Sequence, residues 1–421
     1  MDSTKQKKRV FEGIKVADFT WAATGPQVGR TLAEHGATVI RIESHRKPDL
    51  CRVIHPFMGK PGINRSPFSA ILNTNKYGIS VDLTTPEGKE IARKLIKWAD
   101  VVSDSFTPGT MKKLGLDYDE AQKIRPGIIY FSTCSQGQYG PHALLGVYGI
   151  QTAPVSGFAM VTGYPDRDPV VVYGAYTDYV SPWSLVSYLA AALCYRRKTG
   201  KGVYLDHSQC EAALAFLAPT ILDYTVNGRV ANRTANRDPI ASPCGAYPCK
   251  GEDRWIAIAV TTDEEWENFC QVIGGPEWTR DPMFATLTGR KENEDKLDSL
   301  IGEWTVHHTP EEIMTWMQAK GVPAGVVQTM EDLHNNDLQL KYREFFVRLN
   351  HTEMGTHSYY NEAARFSKTP VRLTKAAPCL GEDNEFVYKE ILGMTDDDIA
   401  DLLIKGVITT EDDIPAIGST Y

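Results

Sequence analysis

The sequence predicts an α/β protein with two lobes, a larger one on a parallel sheet and a smaller α+β one. Three observations carry this reading. Apolar runs of strand length alternate with stretches of helix length from Gly13 to Ser208, the pattern that builds parallel sheets. Between Gly245 and Val260 the pattern changes to a two-residue alternation around a turn at residues 250–254, which reads as a hairpin. At 421 residues, the chain exceeds the size at which a single hydrophobic core stops growing.

In chain order, residues 13–19 are the first strand, and a helix runs from Pro26 to His35, where Gly36 stops it. Residues 38–43 are the next strand, which completes a β-α-β unit. Glu43 ends that strand where dinucleotide folds keep a ribose-binding acid. Gly25 and Gly29, however, lack the G-x-G spacing that lets a backbone approach a pyrophosphate, so NAD is not expected. Residues 47–69 hold Pro, Gly and Asn and read as a long loop over a site. Asn73-Thr-Asn-Lys76 is a polar turn into a strand that ends near Leu83. Thr85-Pro-Glu-Gly88 then opens a helix to Ala99, with Ile91, Leu95 and Ile96 at helical spacing. Strands follow at 101–103 and 128–131, each trailed by a glycine-containing loop. Open parallel sheets bind ligands at the C-terminal ends of their strands, so loops 20–25, 73–76, 105–109 and 137–140 are expected to line one site. Residues 203–208 are a strand, 210–224 an apolar helix and 227–239 a linker. Helices are expected at 263–273, 287–304 and 310–320, short strands at 345–349 and 364–366, and acidic-capped helices at 382–392 and 395–405.

Composition is that of an ordinary globular protein, 42% hydrophobic and 23% charged, with a net charge of −8. That balance, with no basic block beyond residues 5–9, argues against nucleic acid as a partner. The longest apolar run is too short and too polar to span a bilayer, so no membrane association is expected. The eight cysteines are scattered without a C-x-x-C pair or companion histidine spacing. Free thiols in a reducing cytoplasm, and no metal site, follow from this.

One stretch, residues 173–202, concentrates chemistry. Ser181-Pro182 is a helix-start signal, and the apolar helix behind it ends in Arg196, Arg197, Lys198 and Gly200. Asp178 stands just ahead of it. An acid there is either a cap or turn residue, or an ionised nucleophile held near a helix N-terminus. Local sequence leaves both readings open.

The motifs taken together resemble the family III CoA-transferases, the group that includes formyl-CoA:oxalate and crotonobetainyl-CoA:carnitine CoA-transferases. The resemblance runs from about Phe11 to Leu403. It rests on Leu-Ala-Glu-His-Gly-Ala-Thr-Val-Ile-Arg-Ile-Glu43, Asn73-Thr-Asn-Lys76, Val81-Asp-Leu83 with Thr85-Pro-Glu-Gly88, and Phe106-Thr-Pro-Gly109 with Leu114-Gly115. Further support comes from Gln136-Gly-Gln-Tyr-Gly-Pro141, Lys198-Thr-Gly-Lys-Gly202, Gly321-Val-Pro-Ala-Gly325 and Leu380-Gly-Glu382. Each motif alone is weak, but their order and separations are specific.

The resemblance implies a large Rossmann-like domain made of residues 10–225 and 335–421, and a small α+β domain with linkers at 226–334. It also implies an interlocked-ring dimer, either a homodimer or a heterodimer or heterotetramer with a paralogous subunit. It implies a cytoplasmic enzyme with no tightly bound cofactor, whose substrates are coenzyme A thioesters and a free carboxylic acid. Asp178 matches the family's catalytic aspartate, and Gly245, in Ser242-Pro-Cys-Gly-Ala246, matches a glycine segment that supplies oxyanion donors. The CoA-binding positions fall on Asn75, Lys76, Leu83, Thr84, Ser105, Phe106, Thr107 and Lys113. Many relatives carry Asn-Phe-Arg-Pro-Gly where this chain has Ser105-Phe-Thr-Pro-Gly109. Lys112 or Lys113 then stands in for the missing phosphate-binding cation, although both also read as a solvated helix face.

In the loop Trp21-Ala-Ala-Thr24, aromatic and small residues replace the Gln of oxalate-specific relatives. Trp21, Thr24 and Tyr148 then favour an acid bulkier or more apolar than oxalate, while Trp21 reads equally as core packing. Succinyl-CoA as donor and an aromatic, benzylsuccinate-type acid as acceptor are analogies with the family. The implied chemistry runs through an aspartyl anhydride and an aspartyl-CoA thioester. One alternative is an α-methylacyl-CoA racemase, which pairs the aspartate with a histidine in Gly-His-Asp. This chain has Gly146-Val-Tyr148 there, and His142 is out of register. A non-catalytic subunit is the other alternative, and retention of Asp178 argues against it.

Overall fold

The structure, a computed structural model, describes residues 8–409; the end of the chain and most of the basic run at 5–9 lie outside them. Two compact units emerge. The first takes the described residues up to Ala159, then Val171–Val230, then the described chain from Lys341 onward; the second takes Met160–Val170 and Ala231–Leu340.

Six strands of the first unit form one parallel sheet: β1 (Lys15–Phe19), β2 (Thr38–Glu43), β3 (Tyr77–Ser80), β4 (Val101–Asp104), β5 (Ile129–Cys134) and β6 (Val203–Ser208). Their order is β3-β2-β1-β4-β5-β6. The order reverses at β1, so the loops after β1 and β4 diverge and open a crevice at the C-terminal edge. The strands are short and apolar because both faces are covered. On one face Val16, Val39 and Val101 pack with Val28 and Leu32 of the Thr24–Glu34 helix and Leu185 and Leu189 of the Tyr176–Thr199 helix. On the other, Ile40, Ile42, Ile79 and Val102 meet Ile91, Leu95 and Ile96 of the Pro86–Trp98 helix. Each such side chain contributes about 1.5–3 kcal/mol on burial. Thr85 caps the last helix, its hydroxyl accepting from Gly88 N at 3.0 Å. The first unit also holds an antiparallel hairpin, β10 (Phe346–His351) and β11 (Gly355–Tyr360).

In the second unit β7 (Cys244–Pro248), β8 (Trp255–Ala259) and β9 (Ala324–Val326) form an antiparallel sheet. The helices Asp263–Val272, Glu294–Thr305 and Pro310–Ala319 cover it through Phe269, Leu297, Ile301, Ile313 and Met317. Thr262 and Thr309 start two of these helices with capping boxes.

Four expectations are corrected. The long apolar helix begins at Tyr176 rather than at Ser181-Pro182, so Asp178 lies in its first turn and Pro182 inside it. At the seventh helical position Pro182 removes one intrahelical donor, the partner of the Asp178 carbonyl. Residues 364–366 are not a strand: β10 pairs with β11, whose Thr-His-Ser-Tyr run hides its strand character. Residues 382–392 hold a π-helical segment, Phe386–Ile391, rather than a regular helix. The loop at 73–76 precedes β3 and so enters the sheet from the opposite edge; the segment leaving β3 toward the crevice is 81–84.

Candidate active site

A cavity of about 750 Å³ opens at the C-terminal edge of the parallel sheet. Its walls come from the loops after β1, β2, β3, β4 and β5, and Asp178 reaches it from the first turn of the Tyr176–Thr199 helix. Asp178 is 6% exposed. Thr24 Oγ1 donates to its Oδ1 at 3.1 Å, and Gln209 Nε2 in turn donates to Thr24 Oγ1 at 2.7 Å. The Gly149 N–H and the Gln209 amide face the carboxylate and oppose its desolvation. Burial pushes its pKa up to about 6, against these donors, and no cation contributes.

Gly149 is the residue whose shape the carboxylate uses most closely. A methyl group there would lie 2.5 Å from Asp178 Cγ. The Thr177 hydroxyl donates to the Gly149 carbonyl at 3.2 Å, which ties that backbone to the turn that carries Asp178. Carboxylate, glycine N–H and two neutral donors make a site that holds an acid ready to ionise near neutral pH.

The cavity brings together Trp21, Thr24, Leu83, Thr84, Ser105, Phe106, Thr107, Tyr148 and Asp178. Trp21 meets the edge of Phe106 at 5.5 Å between ring centroids, so these two rings form a wall. Ser105 is committed to the loop opposite: its hydroxyl accepts from Trp21 N at 2.7 Å and donates to Trp21 O at 3.0 Å. Asn75 and Lys76 are not in the cavity. The Asn75 side chain donates to Arg372 O at 2.5 Å and accepts from Thr374 N and Lys375 N. Lys76 is wholly buried and donates to Asp18 Oδ2, Pro26 O and Asn73 Oδ1 at 2.8–3.0 Å, which uses all its protons. Lys113 is exposed on the Thr110–Leu114 helix outside the cavity lining, and Lys112 lines a separate small pocket. Gly245 lies on β7 of the second unit. The 137–140 loop turns onto Asp206, to which Gln138 N donates at 2.9 Å.

Sequence reasoning missed Gly149, Gln209, Arg46 and Lys47. The last two are the cations among the cavity-lining residues. Arg46 pairs with Asp82 at 2.5 Å while its side chain stays 61% exposed, and Lys47 Nζ lies 5.8 Å from the Trp21 ring centroid. The Arg46-Lys47 pair, directly before a proline at the start of a long loop, was a signal available in the sequence.

Beside the cavity lies a buried ionic lattice. Arg41 pairs with Glu43 at 2.8 Å and with Asp49, and Arg52 pairs with Glu43 at 2.7 Å. Burial alone would raise Glu43, but Arg41 and Arg52 outweigh it and hold the carboxyl well below its usual range. Glu43 is therefore an ion-pair partner, which accounts for the acid at the end of β2 without a ribose.

The model of CoA-transferase family III matches residues 11–384. Among curated proteins, the chain is 30% identical to the succinyl-CoA–D-citramalate CoA-transferase of Chloroflexus aurantiacus, over 96% of this chain and 100% of that one. It is 29% identical to the succinate–glutarate CoA-transferase of Agrobacterium fabrum, over 93% and 98%. It is 30% identical to the formyl-CoA:oxalate CoA-transferase of Escherichia coli, over 93% and 97%. Among solved structures, a CAIB/BAIF family protein from Brucella suis superposes with a TM-score of 0.85 at 29% identity, covering 91% of this chain and 100% of that one. The chain belongs to CoA-transferase family III and is an acyl-CoA:carboxylate CoA-transferase. No described helix is long and apolar enough to cross a membrane.

Proposed function

We propose that this CoA-transferase works through Asp178. The carboxylate attacks the thioester carbonyl of an acyl-CoA, expelling CoA thiolate and leaving a mixed anhydride. The thiolate attacks the aspartyl carbonyl, releases the donor acid and leaves CoA on Asp178 as a thioester. The acceptor carboxylate then attacks that thioester, and returning thiolate resolves the second anhydride to acceptor acyl-CoA and free Asp178. The observation that carries this reading is a buried carboxylate at the wall of a 750 Å³ cavity, bonded only to neutral donors. Thr24 and the Gly149 N–H, which face the carboxylate, are the donors that would bond oxygens of the acylated aspartate. Leu83, Thr84, Phe106 and Thr107 line the CoA side, with Arg46 and Lys47 supplying the positive charge that Thr107 does not.

Relatives named for succinyl-CoA make it the first donor to test. The Trp21–Phe106 wall favours an acceptor acid with an apolar or aromatic body, of the benzylsuccinate type. The racemase reading is disfavoured because no histidine stands among the cavity-lining residues. The first unit is read as a Rossmann-like CoA-binding domain, the second as a small domain, and the protein as a cytoplasmic interlocked dimer. The exposed Trp183, Tyr188 and Tyr195 of the Tyr176–Thr199 helix are surface that a second copy would cover.

A mass-spectrometric screen of CoA thioesters against carboxylic acids tests the activity. Acceptor-dependent formation of a new acyl-CoA is expected. Solvent deuterium appearing at the acyl α-carbon without acceptor would support the racemase instead.

A further inference from the structure

We infer that Asp49 is a positioning residue of this active site, acting through the backbone of Ala22; this rests on Asp178 being the nucleophile. Ala22 has φ 61°, a left-handed conformation that alanine adopts at a cost. It sits in the four-residue run from Trp21 to Thr24, which carries both Trp21 on the cavity wall and Thr24 on the Asp178 carboxylate. Something outside the loop must hold that turn, and the contacts identify it. Asp49 Oδ1 accepts from Ala22 N at 3.0 Å and from Cys51 N at 3.0 Å. Its Oδ2 accepts from Arg41 Nη2, and Arg41 Nη1 donates to Thr20 O at 3.3 Å. The Arg41–Asp49 pair thus grips the chain on both sides of Trp21, at the Thr20 carbonyl and the Ala22 N–H. Both side chains are fully buried, so the grip has no competing water. Ser105 holds the residue between, through Trp21 N and O. Asp18 holds the entry, accepting from Thr20 N at 3.1 Å and from Thr20 Oγ1.

The loop is therefore clamped residue by residue, and Asp49 holds the N–H of the strained one. Loss of that contact lets Ala22 relax to a negative φ. Because the turn lies between Trp21 and Thr24, both move relative to Asp178. Displacements on the scale of 1 Å cost up to about a hundredfold in turnover.

The test is a coupling measurement in the full-length enzyme. Asp49→Asn keeps the shape but weakens the accepting oxygen. It is expected to lower kcat about tenfold, with KM for the acyl-CoA changing less, within about threefold. Glycine takes φ 61° freely, so the same Asp49→Asn change made in an Ala22→Gly background should lower kcat by no more than about twofold. An equal fall in both backgrounds would overturn the inference. If Asp49→Asn does not fold, Ala22→Gly alone decides: it should raise Tm by about 1–2 °C through strain relief, and a lower Tm contradicts the strain. A failed nucleophile assignment shows separately, as turnover retained in Asp178→Ala.

Discussion

Asp18 and Asp178 are both buried in the first unit, 0% and 6% exposed, and their surroundings drive them to opposite states. Asp18 has Lys76 at 2.9 Å. Burial pushes Asp18 up, but Lys76 and Arg41 outweigh it and bring it below its ordinary value. Asp178 has only a threonine, a glutamine and a glycine N–H, and burial takes it up to about 6. The difference teaches how this fold separates structure from chemistry. Asp104 is also buried among neutral donors and raised to about 6, but of the two only Asp178 lines the large cavity, where such a carboxylate can meet a substrate. In the proposed mechanism, a guanidinium beside Asp178 would lower both its pKa and its nucleophilicity.

The largest expected effect breaks the comparison at Asp178. Asp178→Asn should reduce kcat on the order of a thousandfold or more. Because the folded pKa is raised, the ionised form costs stability above about pH 6, and that cost vanishes below the ordinary carboxylate pKa of 3.8. The amide should therefore raise Tm at pH 8 and leave it unchanged near pH 4, as calorimetry would show. The same titration predicts that kcat/KM rises with pH through about 6 and then levels. A profile flat from pH 5 to 8 would remove Asp178 from the rate-determining chemistry.

Gly149→Ala comes next. Its methyl group must displace the carboxylate, and a fall of about a hundredfold in kcat, with the protein still folded, is expected. Asp18→Asn, the reciprocal change, should cost about 3 kcal/mol in denaturant unfolding, because it leaves Lys76 buried without its carboxylate. The smallest effect is at the cavity mouth. Arg46→Ala should raise KM for the acyl-CoA about threefold at low salt and less at high salt, since its charge is largely exposed.

The parallel sheet was legible because its strands are short apolar runs between helices whose ends Gly36, Thr85-Pro86 and Gly200 mark, all local signals. Asp178 was legible as an acid ahead of an apolar helix, but its state was not. The pKa of Asp178 depends on Thr24, Gly149 and Gln209, which are near it only in the fold. Lys76 shows the same limit. Its sequence neighbourhood suggests a ligand-binding cation, and only Asp18, across the sheet, shows it to be an internal ion pair. Pro182 misled differently: a proline tolerated inside the second turn looks, in sequence, like a proline that starts a helix.

The covalent step on Asp178 is the centre of the proposed mechanism, and one measurement addresses it directly. The enzyme is incubated with an acyl-CoA donor and no acceptor, quenched with hydroxylamine and digested, and the peptide containing Asp178 is weighed. A donor-dependent hydroxamate on Asp178 is the expected result. An unmodified Asp178 peptide from a preparation that transfers CoA at full rate would contradict it.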